Sequence, residues 1–275
     1  MIQSVEFINW YFFMFISTVL EIFFPMTLKI APELSGLSWT KEARDLLSVL
    51  HGLSLQDSAM VFLRHSQREE PQAWKDVLNA PLTSLGVEMA RIFGENLPQT
   101  RSYRIYHSRI ERCATTAKLI QTGFISKITD GFTMEMGGYM PELTEFYMDP
   151  LAFEQMTKRD NIRFVRNWLA GFYPTSEMES ALFYAQRVAH VIIPNHTRWC
   201  TTKAPGGIDL YISHDFNILV LRALWTGLFP TDNWISYLGG FIIVLHPDDM
   251  DIYYEGRHER VPYPHWWHSI QSVPF

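Results

Sequence analysis

Three short segments of this 275-residue chain carry side chains that bind anions and attack electrophiles: Arg64-His65, Ser108 to Arg112, and His214-Asp215. Each follows a run that reads as a strand, at 58–63 (SAMVFL), 103–106 (YRIY) and 208–213 (IDLYIS). In an open α/β sheet the carboxyl ends of the strands line one crevice. Two histidines, several arginines and one aspartate are therefore expected to converge there. A lone histidine is more often structural and a surface arginine more often solvated. Three separate strand ends delivering one chemical set is a far stronger signal.

The chemistry of that set points to phosphate. Guanidinium groups are rigid forks that match phosphoryl oxygens in pairs, and several together would offset a dianion and the charge of its transition state. A neutral histidine among them can attack phosphorus and split one hard step into two. A neighbouring carboxylic acid can protonate the departing oxygen and then serve as base for water.

Around these segments the pattern alternates strand and helix. Residues 83–97 place Leu85, Met89, Ile92 and Phe93 at helical spacing, with Thr83 as N-cap. Residues 111–122 read as a helix stopping before Gly123, and 175–193 as a helix closed by Pro194. A further helix is expected at 218–229, and a hairpin at 241–246 and 251–254 turning at Pro247-Asp248. Residues 124–175 mix Gly, Pro and aromatics without a period and read as an irregular insertion that shapes the pocket. The alternation implies an α/β fold, a largely parallel sheet with helices on both faces.

Four motifs, in order, resemble those of the histidine phosphatases. Arg64-His65-Ser66-Gln67-Arg68-Glu69-Glu70-Pro71 is similar to the opening Arg-His-Gly signature, with Arg68 and Pro71 as in the acid-phosphatase branch. Pro81 to Gly86 resembles the Leu-Thr-x-x-Gly that begins the first helix. Ser108 to Ala117 resembles Ser-Pro-x-x-Arg-(Ala/Cys)-x-x-Thr-Ala, and Ser213-His214-Asp215 the late Ser-His-Asp. The resemblance covers residues 61 to about 245. It implies a three-layer α/β/α, phosphoglycerate mutase-like domain over 58–275, with 1–57 as an apolar, helical extension.

The same resemblance implies that His65 is the nucleophile and that Arg64, Arg112 and His214 hold phosphate, with Arg68 in support. The proton donor is then Asp215, as in the acid-phosphatase branch, or one of Glu135, Glu142 and Glu145, as in the mutase-like branch. The activity implied is hydrolysis of phosphate monoesters of small molecules through a phosphohistidine, with no metal and no cofactor. A phosphomutase and an inactive binder of phosphorylated ligands are the alternatives. Two departures stand out. Ser66 replaces a glycine beside the nucleophile, where it would narrow the pocket, and Arg109 replaces a common proline, either at the entrance or in solvent.

Hydrophobic residues make up 47% and charged residues 19% of the chain, which excludes wholesale disorder. A net charge of −6 without a Lys/Arg-rich run argues against nucleic acid as a partner. Two cysteines cannot form a disulfide framework, which favours a reducing, cytoplasmic setting. Cys113 follows a pocket arginine and is read as buried and inert rather than sensitised. Residues 8–26 are apolar and aromatic but interrupted by Glu21 and Pro25. They are read as a helix on the domain or a partner, as a membrane or targeting segment, or as sequence upstream of a start at Met14 or Met26. The cluster from His246 to Asp251 reads as a solvated turn, and Trp266-Trp267-His268 as an aromatic clamp.

Overall fold

The chain is described by a computed structural model over residues 32–71, 76–128, 131–150, 154, 160–231 and 233–271. The apolar segment at 8–26, with its alternative readings, lies outside the described residues. Among the described residues no helix is long and apolar enough to cross a membrane.

Seven strands form one sheet: β1 (Ala59–Arg64), β2 (Tyr103–His107), β3 (Met134–Tyr139), β4 (Ile208–Ser213), β5 (Gly240–Leu245), β6 (Asp249–Tyr254) and β7 (Arg257–Pro262). Their order is β3-β2-β4-β1-β5-β6-β7. The first four are mutually parallel, and β5, β6 and β7 add on antiparallel. The helices that matter to the site are α1 (Lys41–Gly52), α2 (Ser84–Glu95), α3 (Glu111–Ile125), α4 (Asn161–Leu169), α5 (Ala181–Thr202) and α6 (Asp215–Thr226).

β1 and β4 are buried at every position, as parallel strands covered on both faces must be. Met60, Phe62, Tyr106 and Tyr211 share a core with Tyr184, Val188, Ile218 and Trp225 of α5 and α6. Tyr103 points to the opposite face of β2, where its ring meets Phe124 of α3 at 5.0 Å. On the sheet α3 packs against β2 and β4, and α1 against β5 and β6. The result is the expected three-layer α/β/α arrangement.

Ahead of β1, α1 buries Ala43, Leu46, Leu47 and Leu50. Several expectations are corrected. The 124–175 stretch is not wholly irregular, since it contains β3 and α4, the latter capped by the Asp160 carboxylate on the Ile162 and Arg163 N–H groups. β3 (MEMGGY) escapes notice because it is an exposed edge strand with two glycines, and β7 (RHERVP) because charges fill its exposed edge. Helix α6 starts at Asp215, and α3 runs through Gly123, where a Cβ would lie 2.0 Å from the Arg91 carbonyl oxygen of α2.

The helix expected to close at Pro194 continues to Thr202. An interior proline costs roughly 3 kcal/mol, but the extra turns bury His196, Trp199 and Cys200. They also complete a buried ion cluster. Arg104 donates to both oxygens of Asp209, at 2.8 and 2.7 Å, and lies 4.3 Å over the Trp199 ring. His196 Nδ1 donates to Asp209 at 2.8 Å. Burial acts against the imidazolium, yet the Asp209 carboxylate outweighs it and pushes His196 up to about 9.

This cluster gives a pH dependence with a definite sign. His196 binds its proton more tightly folded than unfolded, so its stabilisation is complete below pH 6.5 and is lost as pH rises through about 9. Urea midpoints from pH 6 to 10 should fall across that window in the wild type. The His196→Gln variant should show a weaker fall over the same range.

Candidate active site

The site forms where β1, β4 and β2 end side by side. Register places Arg64 beside Ser213 and His107 beside Ile212. The ladder then continues one residue past each strand: His65 N–H donates to the Ser213 carbonyl and Ser108 N–H to that of Ile212, both at 3.0 Å. The rings of His65 and His214 are thereby brought to 5.3 Å. Arg112 enters from the first turn of α3.

Arg64, His65, Arg112 and His214 are all buried, none more than 9% exposed. Arg112 Nε donates to His65 Nε2 at 2.9 Å, and its Nη2 lies 3.3 Å from His214 Nδ1. Its Nη1 donates to the carbonyls of Val77 and Leu78. His65 Nδ1 donates to the Ser66 carbonyl at 2.7 Å, and His214 Nε2 to Ser108 Oγ at 3.0 Å. Each imidazole thus gives one proton away and turns its lone pair toward Arg112, the arrangement of two neutral rings.

The electrostatics agree. Burial first, then His214, Arg112 and Arg64, hold His65 well below the ordinary histidine range. His214 is lowered too, by burial and by Arg112. An unprotonated Nε2 beside guanidinium groups can act as a nucleophile among anion-binding side chains. Arg68 sits at the rim: Nη1 donates to the Glu69 carbonyl at 2.9 Å, and its charge is still felt by Arg112 and His214.

The second motif has a mechanical role. Thr83 caps α2 by accepting from Gly86 N–H, and it donates to Gln67 Oε1. A Cβ on Gly86 would lie 2.1 Å from the Gln67 carbonyl oxygen, so only glycine lets α2 press against the chain just beyond His65. Ser66 is fully buried, with its hydroxyl on the Gly86 carbonyl and its N–H on Thr116 Oγ1. The serine thus ties the loop after His65 to α2 and α3.

Asp215 behaves differently from a proton donor at rest. Its Oδ2 meets Arg64 Nη2 at 2.8 Å and accepts from Trp234 Nε1 at 2.9 Å, and Oδ1 accepts from Phe216 N–H. Burial favours the neutral acid, but Arg64 and these donors overcome it and hold the carboxyl below its usual range. The three glutamates are placed unequally. Glu135 pairs in register with Arg104, at the opposite end of β3 from the site. Glu142 and Glu145 lie in and just past the turn after β3 (Pro141–Leu143), whose Leu143 carbonyl accepts from Ser213 Oγ at 2.5 Å. Glu145 accepts from Tyr139 Oη and stands 4.0 Å from the exposed Arg109.

Other residues reach the site without a motif to announce them. Tyr237 lies 4.2 Å from the Arg64 guanidinium and 5.8 Å from the His65 ring, and the Ile235 carbonyl accepts from Arg64 Nη1 at 2.6 Å. Nothing in their spacing marked them. Burial pushes the Cys113 thiol up to about 12, which makes it inert. Outside the site, Asp251 is claimed by His246, His258 and Arg260, and Trp267 packs between Tyr263 and Trp225.

A model of the histidine phosphatase superfamily (branch 1) matches residues 60–238. No curated protein matches the chain. Among solved structures, a mycobacterial glucosyl-3-phosphoglycerate phosphatase is 16% identical, covering 74% of this chain and 97% of its own, with a TM-score of 0.46. A phosphoglycerate mutase from Bacillus anthracis is 17% identical over 79% of this chain and 99% of its own, with a TM-score of 0.44. A phosphoserine phosphatase mutant from Entamoeba histolytica is 14% identical over 77% and 98%, at 0.43.

The convergence on Arg112 has a measurable consequence. Truncating it removes a desolvated guanidinium from any bound anion, a loss of about 2–5 kcal/mol. Arg112→Ala should therefore weaken vanadate binding by calorimetry to that degree, and Arg109→Ala, in solvent, should leave it nearly unchanged. Equal affinities for wild type and Arg112→Ala would place the anion elsewhere.

Proposed function

Because this chain belongs to the histidine phosphatase superfamily, we propose that it hydrolyses phosphate monoesters of small molecules through a phosphohistidine on His65, without a metal ion. The observation that carries this reading is the state of His65: buried, neutral, and with its Nε2 lone pair accepting from Arg112 Nε.

In this mechanism the phosphate dianion settles between Arg64, Arg112 and His214, with Arg68 at the rim. Arg112 Nε exchanges His65 Nε2 for a phosphoryl oxygen, which frees the lone pair. His65 Nε2 attacks phosphorus while the bond to the leaving oxygen breaks. The Nδ1–H bond to the Ser66 carbonyl stabilises the positive charge that develops on the ring. Water then attacks the phosphohistidine from the vacated side, and inorganic phosphate leaves.

The leaving oxygen needs a proton, and Asp215, ionised against Arg64, has none to give in the resting site. We assign Asp215 to anchoring Arg64, and the acid to the segment after β3 that carries Glu142 and Glu145. That acid gives its proton to the alcohol in the first step and takes one from water in the second.

Two experiments test this reading. Turnover of para-nitrophenyl phosphate should persist in EDTA, and acid-labile phosphate should be trapped on the wild type and absent from His65→Ala. Label remaining on His65→Ala would refute the nucleophile. For the acid, Glu142→Gln or Glu145→Gln should slow an alkyl phosphate by about 10²–10⁴-fold and para-nitrophenyl phosphate little, since nitrophenolate leaves unprotonated. Asp215→Asn should slow both substrates alike. If Asp215→Asn alone discriminates between them, the acid is Asp215.

A further inference from the structure

The loop at 234–239 supplies the site with three groups: the Ile235 carbonyl on Arg64, the Tyr237 ring beside Arg64 and His65, and Trp234 Nε1 on Asp215. Its backbone is also tied to β1, by Arg64 N–H to the Gly239 carbonyl and Leu238 N–H to that of Arg64. Leu238 adopts a φ of 55° while fully buried, a left-handed conformation that a branched side chain resists and that persists only where surroundings enforce it.

Part of that enforcement comes from a segment ahead of β1. Trp39, in the short helix Ser38–Thr40, meets the Tyr237 ring edge-on at 6.0 Å. Three residues on, in the first turn of α1, Glu42 Oε1 accepts from Ser236 N–H at 3.1 Å. Among the described residues its Oε2 is buried with no hydrogen-bond partner within bonding geometry, and Gly239 is the residue that admits it: a Cβ there would lie 2.2 Å from Oε2. Burial raises the Glu42 carboxyl, and Arg222 and Glu255 are the charges nearest it in effect. A half-desolvated carboxylate held against loop backbone is costly unless it fixes something.

We propose that Trp39 and Glu42 are positioning residues for the active site, acting through the 234–239 loop to hold Tyr237 against Arg64 and His65. Both lie outside the 60–238 match. The proposal rests on the reading of the His65 pocket as the active site. Removing Trp39 frees the Tyr237 ring, and removing Glu42 frees the Ser236 N–H. Either change lets water reach His65 and lets Arg64 shift. Glu42→Gln keeps an acceptor oxygen for Ser236 and preserves the brace.

The test is an NMR titration of the His65 ring, assigned with His65→Gln, alongside steady-state kinetics on the full chain. In the wild type His65 should titrate well below 6.5, because burial, His214, Arg112 and Arg64 all disfavour its proton. In Trp39→Ala and Glu42→Ala the midpoint should rise toward 6.5, and kcat for para-nitrophenyl phosphate should fall by up to about 100-fold, as for a misplaced reacting group. Glu42→Gln should match the wild type in both. Trp39→Leu, which keeps apolar bulk without the ring edge, decides the matter where an alanine variant unfolds. An unchanged His65 midpoint in folded Trp39 and Glu42 variants overturns the brace, whether or not the wild type turns over substrate. A wild type that neither binds vanadate nor turns over would instead refute the phosphatase reading, while the titration still decides the brace.

Discussion

A buried pocket that carries fixed positive charge and must also hold uncharged imidazoles sets the terms for the rest of this structure. Guanidinium groups do not deprotonate in proteins, so Arg64 and Arg112 keep their charge and the histidines adjust. Burial and the guanidinium fields both act against an imidazolium at His65 and His214. The arginines must also be satisfied without being neutralised. Arg112 leans on the carbonyls of Val77 and Leu78, and Arg64 on the Ile235 carbonyl. Asp215 is the carboxylate in contact with this group. The pocket therefore retains a surplus of positive charge.

The sheet order makes that arrangement possible. Placing β4 between β2 and β1 puts three parallel carboxyl ends in a row, and each delivers the residues next in the chain. β1 releases Arg64 and His65, β4 releases His214, and β2 leads through Ser108 to α3 and Arg112. Because backbone hydrogen bonds run one residue beyond β1 and β2, to His65 and Ser108, His65 inherits the rigidity of the sheet, and His214 is held by its hydrogen bond to Ser108. α2 then presses its glycine-fronted N-terminus onto the loop after His65, which braces the chain that carries the ring.

The same physics decides which parts of the molecule were legible in the sequence. Strand ends carrying Arg-His and Ser-His-Asp announce themselves by side-chain identity, and the six-residue apolar runs before them could only be buried strands. The alternation of strands and helices likewise implied the three layers. Exposed edge strands such as β3 and β7 carry no apolar run, so nothing in the sequence marks them as strands. Pro194 read as a stop because propensity is local, whereas the burial of His196 and Trp199 that carries α5 past it is tertiary. The loop at 234–239 was silent for a different reason: it works through the backbone carbonyl of Ile235 and the placement of Tyr237, and neither leaves a spacing to detect. Asp215 was visible as a residue, but its ionisation depends on Arg64 and Trp234, which only the fold brings to it.

The same strands β2 and β4 carry a second cluster of arginine, histidine and aspartate, and the contrast explains how one set of residue types reaches two opposite states. Near the start of the strands, Asp209 touches both Arg104 and His196, and the histidine is protonated at neutral pH. At their far ends, Asp215 pairs with Arg64, and the His65 and His214 rings face Arg112 instead. The histidines there stay neutral although they are equally buried. Burial penalises the imidazolium in both places, so burial cannot be what separates them. The difference lies in whether a carboxylate oxygen contacts the imidazole ring. Where it does, the cluster is a closed ion group that fastens α5 to the sheet. Where the rings face a guanidinium, they stay neutral with their lone pairs turned to Arg112. A carboxylate placed against His65 would favour the imidazolium there, as Asp209 does at His196, so the pairing of Asp215 with Arg64 rather than with His65 keeps that ring neutral.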